Sequence, residues 1–250
     1  MNDLHHEFIP RGKVGVLYLH GFMGNLEEMR PIVSSKASGL LIDLPGHGKS
    51  LHPHFFSWAS FLSKLHLLLD RYPVQEWIFY GYSMGGRMIL EYLKEWNPRP
   101  SFVILESASP GRGDDETRRA QDELLAARLE ALREEEVFPF LHRWYEQKIF
   151  QGMNRHPDYL PYIRQKDVQN HPHWAKALRA FSVSGQKCCF ETGPQGRGLY
   201  LCGQDDVAYA RWGKEFADKW RYKLHTFPHS SHNVHFFHPK SIRHLIESLL

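Results

Sequence analysis

The sequence predicts an α/β protein with a mostly parallel sheet, helices on both faces, and an inserted helical cap. Apolar, β-prone runs alternate with helical patterns, and one strand-to-helix junction carries a Gly-x-Ser-x-Gly stretch. A charged stretch rich in alanine and leucine then interrupts this alternation. A length of 250 residues suits one domain with an insertion. We therefore predict a core over 1–111 and 185–250, with the cap over 112–184.

Several runs have the apolar character of strands that are buried on both faces of a parallel sheet. They are 14–19, 39–43, 76–80, 102–106, 199–202 and 223–227. Apolar residues at helix spacing predict helices between these runs. The helices cover 55–71, a segment from Gly86 that stops before Asn97, 116–136, 209–220 and a segment after Pro239. In such a sheet, ligands bind outside the carboxyl ends of the strands.

The composition limits the kinds of partner that we expect for the chain and the cell compartment in which we expect it. With 31 basic and 28 acidic residues and no dense basic run, the chain is not expected to bind nucleic acid, and its slight positive charge suits an anionic small molecule. It lacks a signal-like start and an apolar stretch of about 18 residues, so we expect a cytoplasmic protein without a membrane partner. We expect a monomer or small homo-oligomer without cofactor, and reduced, packing thiols at Cys188, Cys189 and Cys202.

The Gly-Tyr-Ser-Met-Gly stretch at residues 81–85 predicts a nucleophile placed on a sharp turn. Such a turn strains the serine backbone and lifts its hydroxyl clear of the sheet, and the small neighbours Gly81 and Gly85 make room for it. A strand precedes the stretch and a helix follows it, which favours this interpretation over a simple glycine-rich turn. Ser83 is therefore the candidate catalytic serine.

A serine hydroxyl needs a base, and in folds with this turn an acid and then a histidine follow late in the chain. Asp206 and His232 come in that order after predicted strands, and Asp205 is the competing acid. The backbone N–H groups of Phe22 and Met84 are candidate oxyanion donors.

Further histidines surround His232, so a metal cluster is the alternative. Without a His-Glu-x-x-His helix or paired cysteine ligands, we interpret these neighbours as surface or packing residues and predict no metal. They are His229, His235 and His238, and we interpret His47 as a structural residue of a tight turn.

Six stretches together make the chain resemble the α/β-hydrolase superfamily and, within it, the 2-succinyl-6-hydroxy-2,4-cyclohexadiene-1-carboxylate synthases of menaquinone biosynthesis. They are 20–24 (His-Gly-Phe-Met-Gly), 44–48 (Leu-Pro-Gly-His-Gly), 81–87 (Gly-Tyr-Ser-Met-Gly-Gly-Arg), 106–111 (Glu-Ser-Ala-Ser-Pro-Gly), 144–145 (Trp-Tyr) and 232–235 (His-Asn-Val-His). The chain departs from the family pattern at Ser231, where glycine is usual, and in the doubled acid at 205–206.

The resemblance implies a lyase that removes a ring proton from a cyclohexene tricarboxylate and expels pyruvate. It marks Arg118 and Arg164 as carboxylate ligands, and Trp144 and Tyr145 as aromatic contacts to the substrate ring, although an arginine in a charged helix usually faces solvent. Arg87 follows Ser83 by one helical turn, so its guanidinium can reach the same pocket. We also count Tyr82 as a candidate substrate contact.

Two other functions remain open on the sequence. A serine hydrolase of esters, thioesters or carbon–carbon bonds would use the same three residues through an acyl-serine. A catalytically silent member of the fold would bind a small ligand or a protein partner. The arginines favour the lyase, because a neutral ester would leave buried guanidinium groups unpaired.

Overall fold

The computed structural model describes residues 3–96, 98, 100–111, 113, 115–167, 171–192 and 196–250. In this part of the chain the strands are β1 (His6–Ile9), β2 (Val14–Leu19), β3 (Ser38–Ile42), β4 (Glu76–Tyr82), β5 (Phe102–Glu106), β6 (Gly198–Gly203) and β7 (Lys223–Phe227). They form one sheet in the order β1-β3-β2-β4-β5-β6-β7. Only β1 is antiparallel to its neighbour; the other strands are parallel. The predicted fold class is confirmed.

The sheet register brings the carboxyl ends of the central strands together. Leu19 of β2 pairs with Gly81 of β4, and Tyr82 of β4 pairs with Glu106 of β5. The residues that follow these strands therefore lie at one edge of the sheet. This is the edge at which parallel sheets place their ligand sites.

The helices lie on both faces of the sheet and in the segment between β5 and β6. They are α1 (Leu26–Met29), α2 (Trp58–Arg71), α3 (Met84–Trp96), α4 (Glu116–Glu130), α5 (Glu134–Tyr145), α6 (Tyr159–Asp167), α7 (His171–Ala180), α8 (Cys189–Thr192), α9 (Val207–Trp220), α10 (Val234–Phe237) and α11 (Pro239–Glu247). Asn97, where the sequence predicts that a helix has already stopped, lies outside the described residues. None of the described helices has the length and apolar character needed to cross a membrane.

Alternate residues of β2 point into two separate apolar layers. Leu17 and Leu19 pack with α2, α3 and α9, whereas Val16 and Tyr18 pack with α1 and α11. Burial of both faces explains why this strand is a continuous apolar run in the sequence.

The helices α4 to α7, which we call the cap helices, share a third apolar cluster, which also includes Met23 from the loop after β2. The helical stretch predicted over 116–136 consists of two helices, because α4 ends at Glu130 and α5 begins at Glu134. The break is stabilised locally: the Arg133 N–H donates to the Glu136 carboxylate at 2.9 Å and caps the second helix. The domain limits of the cap stay a prediction, and Arg112 at its first boundary lies outside the described residues.

Candidate active site

Ser83 lies at the sharp turn between β4 and α3. Its φ of 48° is in the left-handed region, which is rare for a residue with a side chain. The turn is possible because the residues two positions before and after Ser83 are glycines: a Cβ on Gly81 would lie 2.6 Å from the Gly86 nitrogen, and one on Gly85 would lie 2.4 Å from the Leu19 oxygen. The serine hydroxyl consequently stands at the edge of the sheet, in the wall of a cavity.

Three polar side chains form a hydrogen-bonded chain that begins at Ser83. His232 Nε2 lies 3.0 Å from Ser83 Oγ, and His232 Nδ1 lies 2.7 Å from Asp206 Oδ2. His232 and Asp206 are both buried, whereas the competing acid Asp205 is exposed. A buried carboxylate bonded to Nδ1 fixes the tautomer in which Nε2 can accept the serine proton.

The two adjacent acids give a matched test of this arrangement. Asp206→Asn keeps the side-chain shape but removes the charge that stabilises a protonated His232, so we expect turnover to fall by about 10²- to 10⁴-fold. Asp205→Asn should leave turnover within about twofold of wild type. Steady-state kinetics of the two purified variants check this, and equal losses in both would contradict the assignment of Asp206.

The loop after β2 and the start of α3 carry the two predicted oxyanion donors. Phe22 and Met84 both line the cavity, and within the part of the chain that the structure describes neither N–H donates a hydrogen bond. Two buried histidines hold this region: His47 Nε2 accepts from the Met23 N–H, and His20 Nε2 accepts from the Leu44 N–H, each at 3.0 Å. Burial lowers the pKa of both histidines, in keeping with neutral acceptors. His47 thus has the structural contacts that the sequence predicts.

The cavity has a volume of about 460 Å³, within the range of small-molecule sites. The predicted aromatic residues Tyr82, Trp144 and Tyr145 line it. Sequence reasoning missed further aromatic walls: the rings of Tyr209 and Phe150 lie 4.4 Å and 5.7 Å from the His232 imidazole. Their side chains come from α9 and from the cap, so only the tertiary fold reveals their place.

Arg87 contributes a guanidinium to the same cavity. Its Nη1 donates to Gln186 Oε1 at 3.1 Å and its Nη2 to the Phe181 carbonyl at 2.9 Å. Among the described residues no carboxylate forms an ion pair with Arg87. Burial lowers the pKa of Arg87 to about 10, so the group is still charged at neutral pH. A charge held by neutral partners at a cavity wall is suited to an anionic ligand.

The two other predicted arginines differ in their positions. Arg118 lines the cavity. Its Nε lies 2.9 Å from Asp122 Oδ1, which makes an ion pair, but the Nε–H of Arg118 does not point at that oxygen and forms no hydrogen bond with it. Arg164 needs a correction, because it is exposed and does not line the cavity. The buried, inward face of α6 includes Tyr162 and Lys166, which are one helical turn apart. Arg164 lies between them in the sequence and therefore points to the outer face of the helix.

A buried ionic cluster lies behind the cavity and was missed by sequence reasoning. His235 Nδ1 lies 2.8 Å from Glu106 and its Nε2 3.3 Å from Glu28, while Lys166 Nζ lies 3.4 Å from Glu28. The one available signal was Glu106, an acid at the end of an apolar strand. His235 is thus a buried, paired residue, whereas His229 is exposed. Among the described residues, no three or more His, Cys, Asp or Glu side chains are arranged so that they could hold a metal ion.

The cluster predicts a pH dependence of stability. Burial alone would lower the pKa of His235. The carboxylates of Glu106 from β5 and Glu28 from α1 outweigh this effect and raise the pKa of His235 from 6.5 to about 9. Tyr82 from β4 packs its ring against the imidazole. The charged imidazole therefore stabilises the fold fully below pH 6.5, and this contribution is lost as the pH rises through 9. We expect the free energy of unfolding by urea to fall by roughly 2–3 kcal/mol over that interval.

A matched pair of substitutions isolates this effect. His235→Asn should remove most of the pH dependence between 6.5 and 9. His229→Asn should retain it, because His229 is exposed and asparagine tolerates its φ of 51°. The same slope in all three proteins would show that other groups cause it.

Comparison with known proteins places the chain in a family. The model of the alpha/beta hydrolase family matches residues 16–243. Proteins named 2-succinyl-6-hydroxy-2,4-cyclohexadiene-1-carboxylate synthase from Klebsiella pneumoniae subsp. pneumoniae and Salmonella arizonae are each 28% identical, the first over 91% of this chain and 90% of that protein, the second over 96% and 95%. MenH from S. aureus superposes with a TM-score of 0.87 at 24% identity, covering 98% of this chain and 97% of that one. An esterase from Exiguobacterium antarcticum superposes with a TM-score of 0.79 at 18% identity, covering 98% and 95%. The matched span and the shared fold together show that the chain belongs to the alpha/beta hydrolase family.

Proposed function

We propose that this protein is a carbon–oxygen lyase that eliminates pyruvate from 2-succinyl-5-enolpyruvyl-6-hydroxy-3-cyclohexene-1-carboxylate. The product is 2-succinyl-6-hydroxy-2,4-cyclohexadiene-1-carboxylate. The observation that carries the proposal is the presence, in one cavity, of a serine hydroxyl hydrogen-bonded to a histidine and of a partly buried guanidinium without a carboxylate partner among the described residues. The relatives align with this chain over most of the length of both proteins, and their names support the same reaction.

The reaction begins with removal of the ring proton next to the succinyl carbonyl. His232 draws the proton from the Ser83 hydroxyl, Ser83 oxygen takes the ring proton, and Asp206 stabilises the charged imidazole. The electron pair of the broken C–H bond delocalises onto the succinyl carbonyl oxygen as an enolate. The N–H groups of Phe22 and Met84 are the donors for that oxygen.

Collapse of the enolate completes the elimination. Its electron pair re-forms the carbonyl, the ring double bonds shift into conjugation, and the bond between the ring carbon and the enolpyruvyl oxygen breaks. The departing enolpyruvate takes up the proton held by His232 and becomes pyruvate, so the imidazole is neutral again and hydrogen and charge balance. Apolar walls such as Trp144 exclude water from this step, which favours elimination over hydrolysis.

Substrate recognition follows from charge. The substrate carries three carboxylates, and Arg87 offers N–H donors to one of them. Arg118 is a second donor, which would then be shared between Asp122 and the ligand. Arg164 has no role in this scheme. Neutral donors that line the cavity, such as Gln121 and Gln147, are available for the remaining oxygens.

The alternative function is a serine hydrolase of esters, thioesters or carbon–carbon bonds that forms an acyl-serine. The experiment compares kcat/KM for the enolpyruvyl substrate with kcat/KM for a neutral p-nitrophenyl ester, using the same preparation. The lyase requires the first value to exceed the second by at least about 10³-fold, since a neutral ester leaves the arginines without a partner. Faster turnover of the neutral ester, without release of pyruvate, would establish the hydrolase instead.

A further inference from the structure

The inward face of α6 contacts two loops that lead to the candidate reactive groups. The Phe22 loop follows β2 and leads into α1, and the His232 loop follows β7 and leads into α10. Tyr162 Oη accepts a hydrogen bond of 2.9 Å from Asn233 Nδ2, next to His232, and it donates to the buried carboxylate of Glu28. One hydroxyl on a cap helix thus bridges the histidine loop and α1. Tyr162 itself is 7% exposed and does not line the cavity, so its hydroxyl is not available to a substrate there.

Lys166 makes the second connection from the same helix. Its Nζ donates to the Met23 carbonyl at 3.2 Å, lies 3.4 Å from Glu28 Oε2, and stands 4.4 Å above the Tyr162 ring. Met23 follows Phe22, which lines the same cavity as Ser83 and is the predicted oxyanion donor of this loop. The fit is close, because a Cβ on Gly24 would lie 2.1 Å from the Glu28 oxygen.

Glu28 is therefore a shared anchor for both loops. It receives Tyr162 and Lys166 from α6 and His235 from the segment that follows His232. Burial favours the neutral acid, but Lys166 and His235 outweigh it and lower the pKa of Glu28, so the anchor is ionised. A charged anchor that holds two positive partners and a hydroxyl restricts the relative movement of the loops more than apolar packing does.

We propose that Tyr162 and Lys166 are positioning residues that act through Glu28 to hold the Phe22 loop in register with the His232 loop. The cap thereby contributes to the reactivity of Ser83 in addition to enclosing the substrate. This inference rests on the part of the proposed function that makes Ser83 the activated residue. It is independent of which substrate the enzyme takes.

The same helix supplies a matched control. Tyr159 is also buried, at 5% exposure, but its hydroxyl contacts His142 Nδ1 at 3.2 Å within the cap helices and reaches neither loop. Tyr159→Phe and Tyr162→Phe each remove a single oxygen from a buried ring on α6. A general loss of cap packing would affect both variants, whereas a positioning role affects only the second.

The experiment measures the rate at which a small neutral fluorophosphonate labels Ser83, together with kcat, KM and the thermal midpoint. For Tyr162→Phe we expect labelling and kcat to fall about tenfold with KM within about twofold of wild type, because a hydrogen bond to a charged group is lost. Tyr159→Phe should match wild type. The double variant Glu28→Gln/Lys166→Met, which neutralises the anchor while keeping its shape, should show the same loss as Tyr162→Phe.

Each other outcome overturns the inference in a recognisable way. Wild-type labelling in Tyr162→Phe and in the double variant shows that the loops hold their positions without α6. A rise in KM alone assigns α6 to substrate binding. If wild type itself is not labelled, the activated serine of the proposed function fails as well, and the two failures are thereby distinguished.

Discussion

Ser83→Ala is expected to lower kcat by about 10³- to 10⁴-fold while the enolpyruvyl substrate still binds. The hydroxyl oxygen lies 3.0 Å from His232 Nε2, and it is the atom that takes the ring proton in the proposed reaction. The arginines and the aromatic walls remain in the variant. Loss of turnover should therefore occur with a dissociation constant close to that of wild type, as measured by titration calorimetry.

Ser231→Ala is the matched control for this substitution. Ser231 is buried next to His232, and its hydroxyl has no hydrogen-bond partner among the described residues, so its removal should leave kcat within about twofold. Retained turnover in Ser83→Ala would refute a serine base, and equal losses in the two variants would indicate a general disturbance of the site.

Arg87→Met is expected to lower kcat/KM for the tricarboxylate by about 10²- to 10³-fold, mostly through KM. The substitution removes a cavity guanidinium whose present partners, Gln186 and the Phe181 carbonyl, are neutral. An apolar side chain of similar length fills the space without leaving a buried charge unpaired, so the fold should persist. Arg87→Lys keeps the charge but loses the N–H fork, and an intermediate loss is expected.

Labelling of Ser83 by a neutral fluorophosphonate separates recognition from reactivity in these variants. Since the probe carries no carboxylate, Arg87→Met should react at a rate within a few fold of wild type. An unchanged KM for the tricarboxylate in Arg87→Met would refute a role of this residue in carboxylate binding.

The sequence predicts much of the fold because its signals are local. β2 is an uninterrupted apolar run since both of its faces are buried, and the turn at Ser83 requires glycines within two residues of the serine. β1 was missed because it has four residues, lies at the edge of the sheet and is antiparallel to β3. The break after Glu130 was missed because no glycine or proline marks it.

The site was less accessible to sequence reasoning wherever it depends on distant contacts. Glu28 meets His235 across 207 positions of the chain, and no local pattern announces such a pair. For Arg164, the resemblance indicates a ligand, but packing chooses which face of α6 turns inward, and it places Tyr162 and Lys166 there. Arg87 was predictable because its place is fixed by Ser83, one helical turn before it.

The most direct test of the central claim is the release of pyruvate from the enolpyruvyl substrate, followed with lactate dehydrogenase and reduced nicotinamide cofactor. The claim predicts one pyruvate for each conjugated diene that forms, at a rate proportional to the concentration of wild-type protein and nearly absent with Ser83→Ala. Diene and pyruvate are measured in the same sample. No pyruvate above the uncatalysed rate, or equal release by wild type and Ser83→Ala, would contradict the claim that Ser83 starts an elimination.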